Sequence, residues 1–215
     1  LSGVNLSNTD LSGKDLTGTT LVGANLSGAN LEDVDLSGLN LSGVNLSNTD
    51  LSGKDLTGSL FLSASAFKSN FTNVIFDDSS LIIQSLHSTM SGADFSNVQN
   101  LNRKDFRNSD LSGVDFSGRE LMYDNFKDAN LKGVNFENAI LLGITFNRSN
   151  LENVNFSNSI ITDSSFVNAN LKNANMNNSI IKNSDFNKAN LENVNLLNAE
   201  ISNSKLNCFN HSICN

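Results

Sequence analysis

The chain has 215 residues with no Pro, no Trp, one Tyr, 14 Phe and 14 Gly, and its 14 basic against 22 acidic residues leave a net charge of −8. That balance repels nucleic-acid phosphates and argues against direct DNA or RNA binding. The longest apolar runs, such as Ile140-Leu141-Leu142, fall far short of the roughly 20 residues that a spanning helix needs, so no membrane span is expected.

From the first residue onward Leu recurs every five positions, at Leu1, Leu6, Leu11, Leu16, Leu21 and so on to Leu56. A helix places apolar residues three and four apart and a strand places them two apart, so a beat of five means a chain that turns regularly and returns one side chain inward per block. The 38 Asn residues are part of the same repetition. The stretch at 1–18 recurs unchanged at 41–58, and Ile140, Ile160 and Ile180 recur at 20, so four blocks make one coil. Two positions after each central residue stand Gly3, Asn8, Gly13, Gly18 and Gly23 early, and Asn153, Asn158, Asp163, Asn168 and Asn173 late. These residue types tolerate positive φ, as the third position of a type II turn requires, and this column is therefore read as the corner of each coil.

The blocks Ala24-Asn25-Leu26-Ser27-Gly28, Ala129-Asn130-Leu131-Lys132-Gly133 and Ala189-Asn190-Leu191-Glu192-Asn193 resemble the pentapeptide repeat family, whose loose consensus is A(D/N)LXX. The resemblance implies an all-β chain folded as a right-handed quadrilateral parallel β-helix, with the central Leu or Phe and the small residue two before it facing inward. Across 1–215 the pentads predict a single solenoid of about ten to eleven coils.

Following the chain, Ala66 falls on a central position with Phe67 beside it, which suggests a small bulge or widened corner near 60–67. Gly92 reaches the corner column only if Met90 is central, so the register loses one residue between Leu86 and Met90 and regains it between Asn97 and Leu101. A loop or bulge is expected over 87–100, and His87 lies in it without other ligand-type residues. Beyond it, Phe106, Phe116, Phe126, Phe136, Phe146, Phe156, Phe166 and Phe186 alternate with aliphatic residues at a spacing of ten, half a coil. Phe therefore lines two opposite walls of a filled core that leaves no cleft for a cofactor, a small-molecule substrate or an acid/base pair.

Ile140, Ile160 and Ile180 occupy a position expected to face solvent, and Met122 and Leu142 the next outward position on the same wall. The five are the candidate protein-binding strip, for a partner or for self-association. Lys14, Lys54, Lys104 and Arg119 fall in the inward small-residue column, where a charge needs water or a partner; Lys104 and Asp124, 20 apart, are expected to pair. Cys208, His211 and Cys214 offer three ligand-type residues, a weak metal candidate beside the alternatives of a frayed end or a Cys208–Cys214 disulfide. No capping helix is visible at either end, so the chain is expected to continue, stack or be capped by another domain.

These readings converge on a non-catalytic rigid scaffold or protein-interaction module, expected to form a region of a larger bacterial protein, an effector being one such protein, with no cofactor. The resemblance also implies an alternative. The family includes DNA-mimicking quinolone-resistance factors that bind DNA gyrase or topoisomerase IV, and residues 1–60 carry seven acidic against two basic residues. The sequence assigns no compartment.

Overall fold

A computed structural model describes residues 1–78, 80 and 88–214. It is built of short parallel strands and isolated bridges, with no α-helix among the described residues. The chain divides into two compact units, Leu1–Asn100 and Leu101–Asn215.

In both units the rungs step by twenty residues, as four pentads per coil require. The first unit contains Asn5↔Asn25↔Asn45↔Ser65, and the second contains Asn130↔Asn150↔Asn170, all parallel. Among the described residues one unbroken ladder links the six residues Asp105, Asn125, Thr145, Ser165, Asp185 and Lys205. It is shorter than the ten to eleven coils counted from the pentads because those pentads are shared between two units.

Each corner follows from local chemistry. The residue after the central one begins a turn, and the next takes φ between +51° and +72° at positions such as Asn183 and Gly58. The turn is closed by a backbone bond of the type Ala24 N–H to Leu21 O, 2.8 Å. The residue before the centre aims its side chain along the outside of the stack. Asn170 Oδ1 accepts the N–H of Lys172 (3.3 Å), while its Nδ2 donates to Asn150 Oδ1 (3.3 Å) on the preceding coil and its Oδ1 accepts from Asn190 Nδ2 (3.1 Å) on the next. The high Asn content thus serves corners and outer ladders together, because Asn tolerates αL and its amide both donates and accepts.

The central residues form the core: Leu131 and Phe136 are fully buried, as are Phe126, Phe146, Phe156 and Phe166. On each Phe wall the rings stack coil on coil, with centroids 5.4 Å apart for Phe126–Phe146 and 4.9 Å for Phe146–Phe166, and rings of opposite walls meet edge-on, as in Phe146–Phe156 at 5.9 Å and 73°. Each buried ring contributes about 1.5–3 kcal/mol by area alone.

The loss of one residue lies where the glycine phase places it, but the twenty-residue step is back by Asn97, ahead of the return expected between Asn97 and Leu101. Thr89 pairs with Asn70 and Asp94 with Ile75, nineteen apart, whereas Asn97 pairs with Asp77, twenty apart, with the irregularity between Ile75 and Asp77 of strands β1 (Ile75–Asp77) and β2 (Asp94–Asn97). Residues 88–95 nevertheless follow the ordinary pentad pattern, shifted by one. Met90 is buried, Gly92 is a corner at φ +66°, and Ala93 N–H closes that turn onto Met90 O. Leu86 and His87 lie outside the described residues.

No bulge forms at 60–67. Asn48 N–H reaches Phe67 O at 2.9 Å and Asn45 pairs with Ser65 in normal step. Ala66 fits the central site without moving the backbone, and Phe67 turns outward, where Lys68 Nζ lies 5.3 Å from its ring centroid.

Candidate functional site

Most rungs are single bridges, but one wall of the second unit is a five-stranded parallel sheet: β3 (Glu120–Met122), β4 (Ile140–Leu142), β5 (Ile160–Thr162), β6 (Ile180–Lys182) and β7 (Glu200–Ser202). Its extra length comes from the corner that follows it. Among the described residues no backbone bond closes the turn after Leu121, Leu141, Ile161 or Ile181. A side chain from the next coil takes the freed N–H instead, as in Ile144 N–H to Ser164 Oγ (3.1 Å), Ser164 N–H to Ser184 Oγ (3.3 Å) and Ser184 N–H to Ser204 Oγ (3.1 Å). Each of these hydroxyls in turn donates to a strand-end carbonyl, Thr162 O, Lys182 O or Ser202 O. The open corner lets the strand run two residues beyond the single bridge of a regular rung.

On this wall Ile140, Ile160 and Ile180 lie in register on successive coils. Ile140 is 44% exposed and Ile160 41%, while their neighbours Leu141, Ile161 and Ile181 are buried. Met122 and Leu142 pair in the second outward column, both half-buried. The structure thus brings the five candidate residues to one face, framed by Glu120 at one end of the Ile column and Glu200 at the other, with Lys182 beside Ile180.

Tyr123, missed by the sequence reading, extends the face at its corner. It is 56% exposed at φ +61°, the Arg103 guanidinium lies 5.7 Å from its ring centroid, and the ring occupies the space that a Cβ on Gly143 would need. Its signal in the sequence was the one aromatic residue among the corner positions, which are mostly Gly, Asn and Asp. The first unit has exposed apolar residues of its own that the sequence did not mark as a contact surface, Leu60, Leu62 and Phe67. Leu60 and Leu62 flank the central Phe61 in the pattern of Ile140 and Leu142, and a search for outward apolar pairs would have found them.

The inward-column charges are resolved in different ways. Lys104 and Asp124 are brought together, but through the backbone: Lys104 N–H donates to Asp124 Oδ1 at 2.6 Å, and no ammonium–carboxylate ion pair joins them. Asp124 is 1% exposed with Oδ2 unpartnered, and burial pushes its carboxyl up to about 7 against the pull of the Lys104 N–H and charge. Lys54 is half-buried and its Nζ donates to Val34 O at 2.8 Å, burial lowering its pKa. Lys14 is exposed and Arg119 half-buried.

Lys54 also accounts for a groove that the sequence did not lead one to expect. Its ammonium takes the carbonyl that a regular coil would offer to the Asp55 N–H, and the bridges 30↔50 and 35↔55 are absent among the described residues. The resulting open groove, about 700 Å³, is rimmed by Glu32, Asp33, Asp35, Asp50 and Asp55. It lies outside the core, since Leu31 and Leu36 beneath it stay buried.

At the C-terminus Cys208 and Cys214 are joined in a disulfide, so they are not metal ligands. No cluster of three or more metal-binding side chains occurs among the described residues, and no described helix is long and apolar enough to cross a membrane. Ile213, within the short disulfide loop, lines a small apolar cavity together with Leu196, Ile201 and Leu206.

No curated protein sequence matches the chain. Among solved structures it is similar to HetL, a pentapeptide repeat protein involved in heterocyst differentiation regulation in Nostoc sp. strain PCC 7120, at 22% identity and a TM-score of 0.52, over 95% of this chain and 87% of that one. More distant similarities are to a pentapeptide repeat protein of the Arabidopsis thaliana thylakoid lumen (24% identity, TM-score 0.34, 75% and 70% of the two chains) and to QnrB1, a plasmid-mediated fluoroquinolone resistance protein (15%, 0.41, 94% and 93%). The family model for pentapeptide repeats matches in 8 copies, over 1–38, 40–81, 90–118, 129–168, 142–178 and 181–207. With the twenty-residue rung and the αL corners, these matches identify the chain as a member of the pentapeptide repeat family.

Proposed function

We propose that this chain is a non-catalytic scaffold that holds a protein on the wall of β3–β7. The observation that carries this is the in-register column Ile140, Ile160 and Ile180, with Ile140 44% and Ile160 41% exposed, on a solenoid whose outward pre-central positions are otherwise mostly Asn or Asp. An Asn ladder satisfies itself and offers little to a partner, whereas stacked β-branched side chains on a sheet offer apolar area that association removes from water. The core beneath is filled by Leu and Phe and leaves no enclosed space for substrate. The test is a photocrosslinking residue at 160 and, as a control on another wall, at 172. Protein adducts are expected from 160 alone; equal labelling from both positions would refute the assignment.

A second reading rests on the first unit, where Asp10, Asp15, Asp35 and Asp50 are exposed carboxylates. They are held below the usual range by hydrogen bonds from the side chains and N–H groups of Ser12 and Thr17 and from the N–H groups and side chains of Ser37 and Ser52. Such a fixed negative face suits a DNA-mimicking topoisomerase ligand. A supercoiling assay with DNA gyrase decides it: neither inhibition nor protection at micromolar protein removes this reading.

A further inference from the structure

Resting on the docking wall proposed above, we infer that its occupant is a second copy of this chain, packed wall to wall with the two solenoid axes side by side and pointing the same way. The argument is one of charge. Elsewhere in the second unit several outward charges find opposite partners one coil away, Lys132–Glu152 at 3.3 Å, Lys172–Glu192 at 2.9 Å and Arg148–Asp128 at 2.6 Å, while others such as Lys188 have none among the described residues. Glu120, Lys182 and Glu200, which frame the apolar column, have no ion-pair partner among the described residues, and all three are exposed.

Two two-fold arrangements bring the walls face to face. If the axes are antiparallel, with the two-fold at Ile160, Glu120 of each copy meets Glu200 of the other, a like-charge contact at both ends. If the two-fold runs along the solenoid axis, strand directions oppose and the first outward column faces the second. Ile140 then meets Leu142 of the second copy, Ile160 meets Thr162, and Ile180 packs on the aliphatic stem of Lys182. The Lys182 ammonium is left one coil from Glu200 of the second copy. The antiparallel pair would set Ile140 on Ile180 and Ile160 on Ile160 but repel at both ends, so charge decides for the parallel pair, in which Glu200 gains Lys182 of the second copy.

Five coils at a spacing of about 4.8 Å and three residues of strand make a wall of roughly 24 Å by 10 Å. That is well below the roughly 800 Å² per partner of standard interfaces, so the dimer is weak, dissociating at about 100 μM or above. Weakness suits a contact used when copies are already concentrated or tethered.

Sedimentation equilibrium of the whole chain, from roughly 20 μM to 1 mM, tests this. The weight-average mass should rise towards the dimer. Ile160→Lys should abolish the rise. Lys182→Glu and Glu200→Lys should each weaken it at least about fivefold, and the double variant should restore it, since it swaps the ends of the same ion pair. A wild-type chain that stays monomeric at 1 mM, or a double variant that fails to recover, overturns the dimer. Photocrosslinking at 160 in a mixture of proteins separates that failure from failure of the docking wall: adducts with other proteins but none with itself leave the wall in place, and no adducts from 160 remove both.

Discussion

The carboxylate of Asp124 accepts the backbone N–H of Lys104 at 2.6 Å through one oxygen while its other oxygen is buried without a partner. It stands where Ser164, Ser184 and Ser204 stand on later coils, and those hydroxyls both accept and donate. A protonated Asp124 matches that role and an ionised one does not. The folded-state pKa is raised to about 7 from 3.8, so ionisation opposes folding. The penalty is absent below pH 4, grows as pH rises towards 7 and is then complete, at most about 4 kcal/mol. Thermal unfolding between pH 4 and pH 8 should show the loss with rising pH, and Asp124→Ser should flatten it while raising stability at pH 8. An unchanged slope in that variant would mean that other groups set the pH dependence.

Phe146 stacks between Phe126 and Phe166 and meets Phe136 and Phe156 edge-on. Phe146→Ala should cost about 3–5 kcal/mol in chemical denaturation, because a rigid stack on both sides prevents collapse into the vacancy. Phe146→Leu, the residue of the intervening walls, should cost less than half of that.

A Cβ on Gly143 would lie 2.6 Å from Tyr123 Cδ1, and Gly143 sits at φ +66°. Gly143→Ala should destabilise by about 1–2 kcal/mol, from strain and from displacement of the ring off Arg103. In Tyr123→Asn the same substitution should cost only the backbone part. A double-mutant cycle on melting temperature measures the difference, and perfect additivity would show that the ring moves aside freely.

The Cys208–Cys214 bridge closes a six-residue separation that includes Ile213. Reduction, or Cys208→Ser with Cys214→Ser, should lower stability by about 2 kcal/mol. It should also raise amide exchange at Leu191 and Phe209, whose backbone bonds, Leu191 N–H to Phe209 O and Phe209 N–H to Ala189 O, tie the final rung. Exchange unaffected at both residues would mean that the rung needs no clamp.

Much of this molecule was legible in the sequence because a five-residue beat leaves few options. Leu131 and Phe136 had to be inside, Gly92 had to be a corner, and the phase of Gly92 alone exposed the one-residue slip at Met90. The column Ile140, Ile160 and Ile180 was visible for the same reason. What stayed hidden depends on partners twenty residues away: the Lys54 bond to Val34 O that opens the acidic groove, the Ser164 hydroxyl that replaces a turn bond, and the backbone route by which Lys104 reaches Asp124. Phe67 looked like a disturbance only because residue size was read as a demand for space. At the C-terminus, spacing alone could not decide between a bridge and a metal site.

The outer amide ladders run one way. Asn190 Nδ2 donates to Asn170, which donates to Asn150, which donates to Asn130. Each coil therefore hands its successor an acceptor at a fixed height, and a newly added turn can seat in only one phase. Lengthening by a multiple of twenty residues returns every later residue to its own column, whereas an addition of five would move it to the next wall. The verbatim return of residues 1–18 at 41–58, two whole turns on, is the spacing that such a ladder accepts without a change of phase.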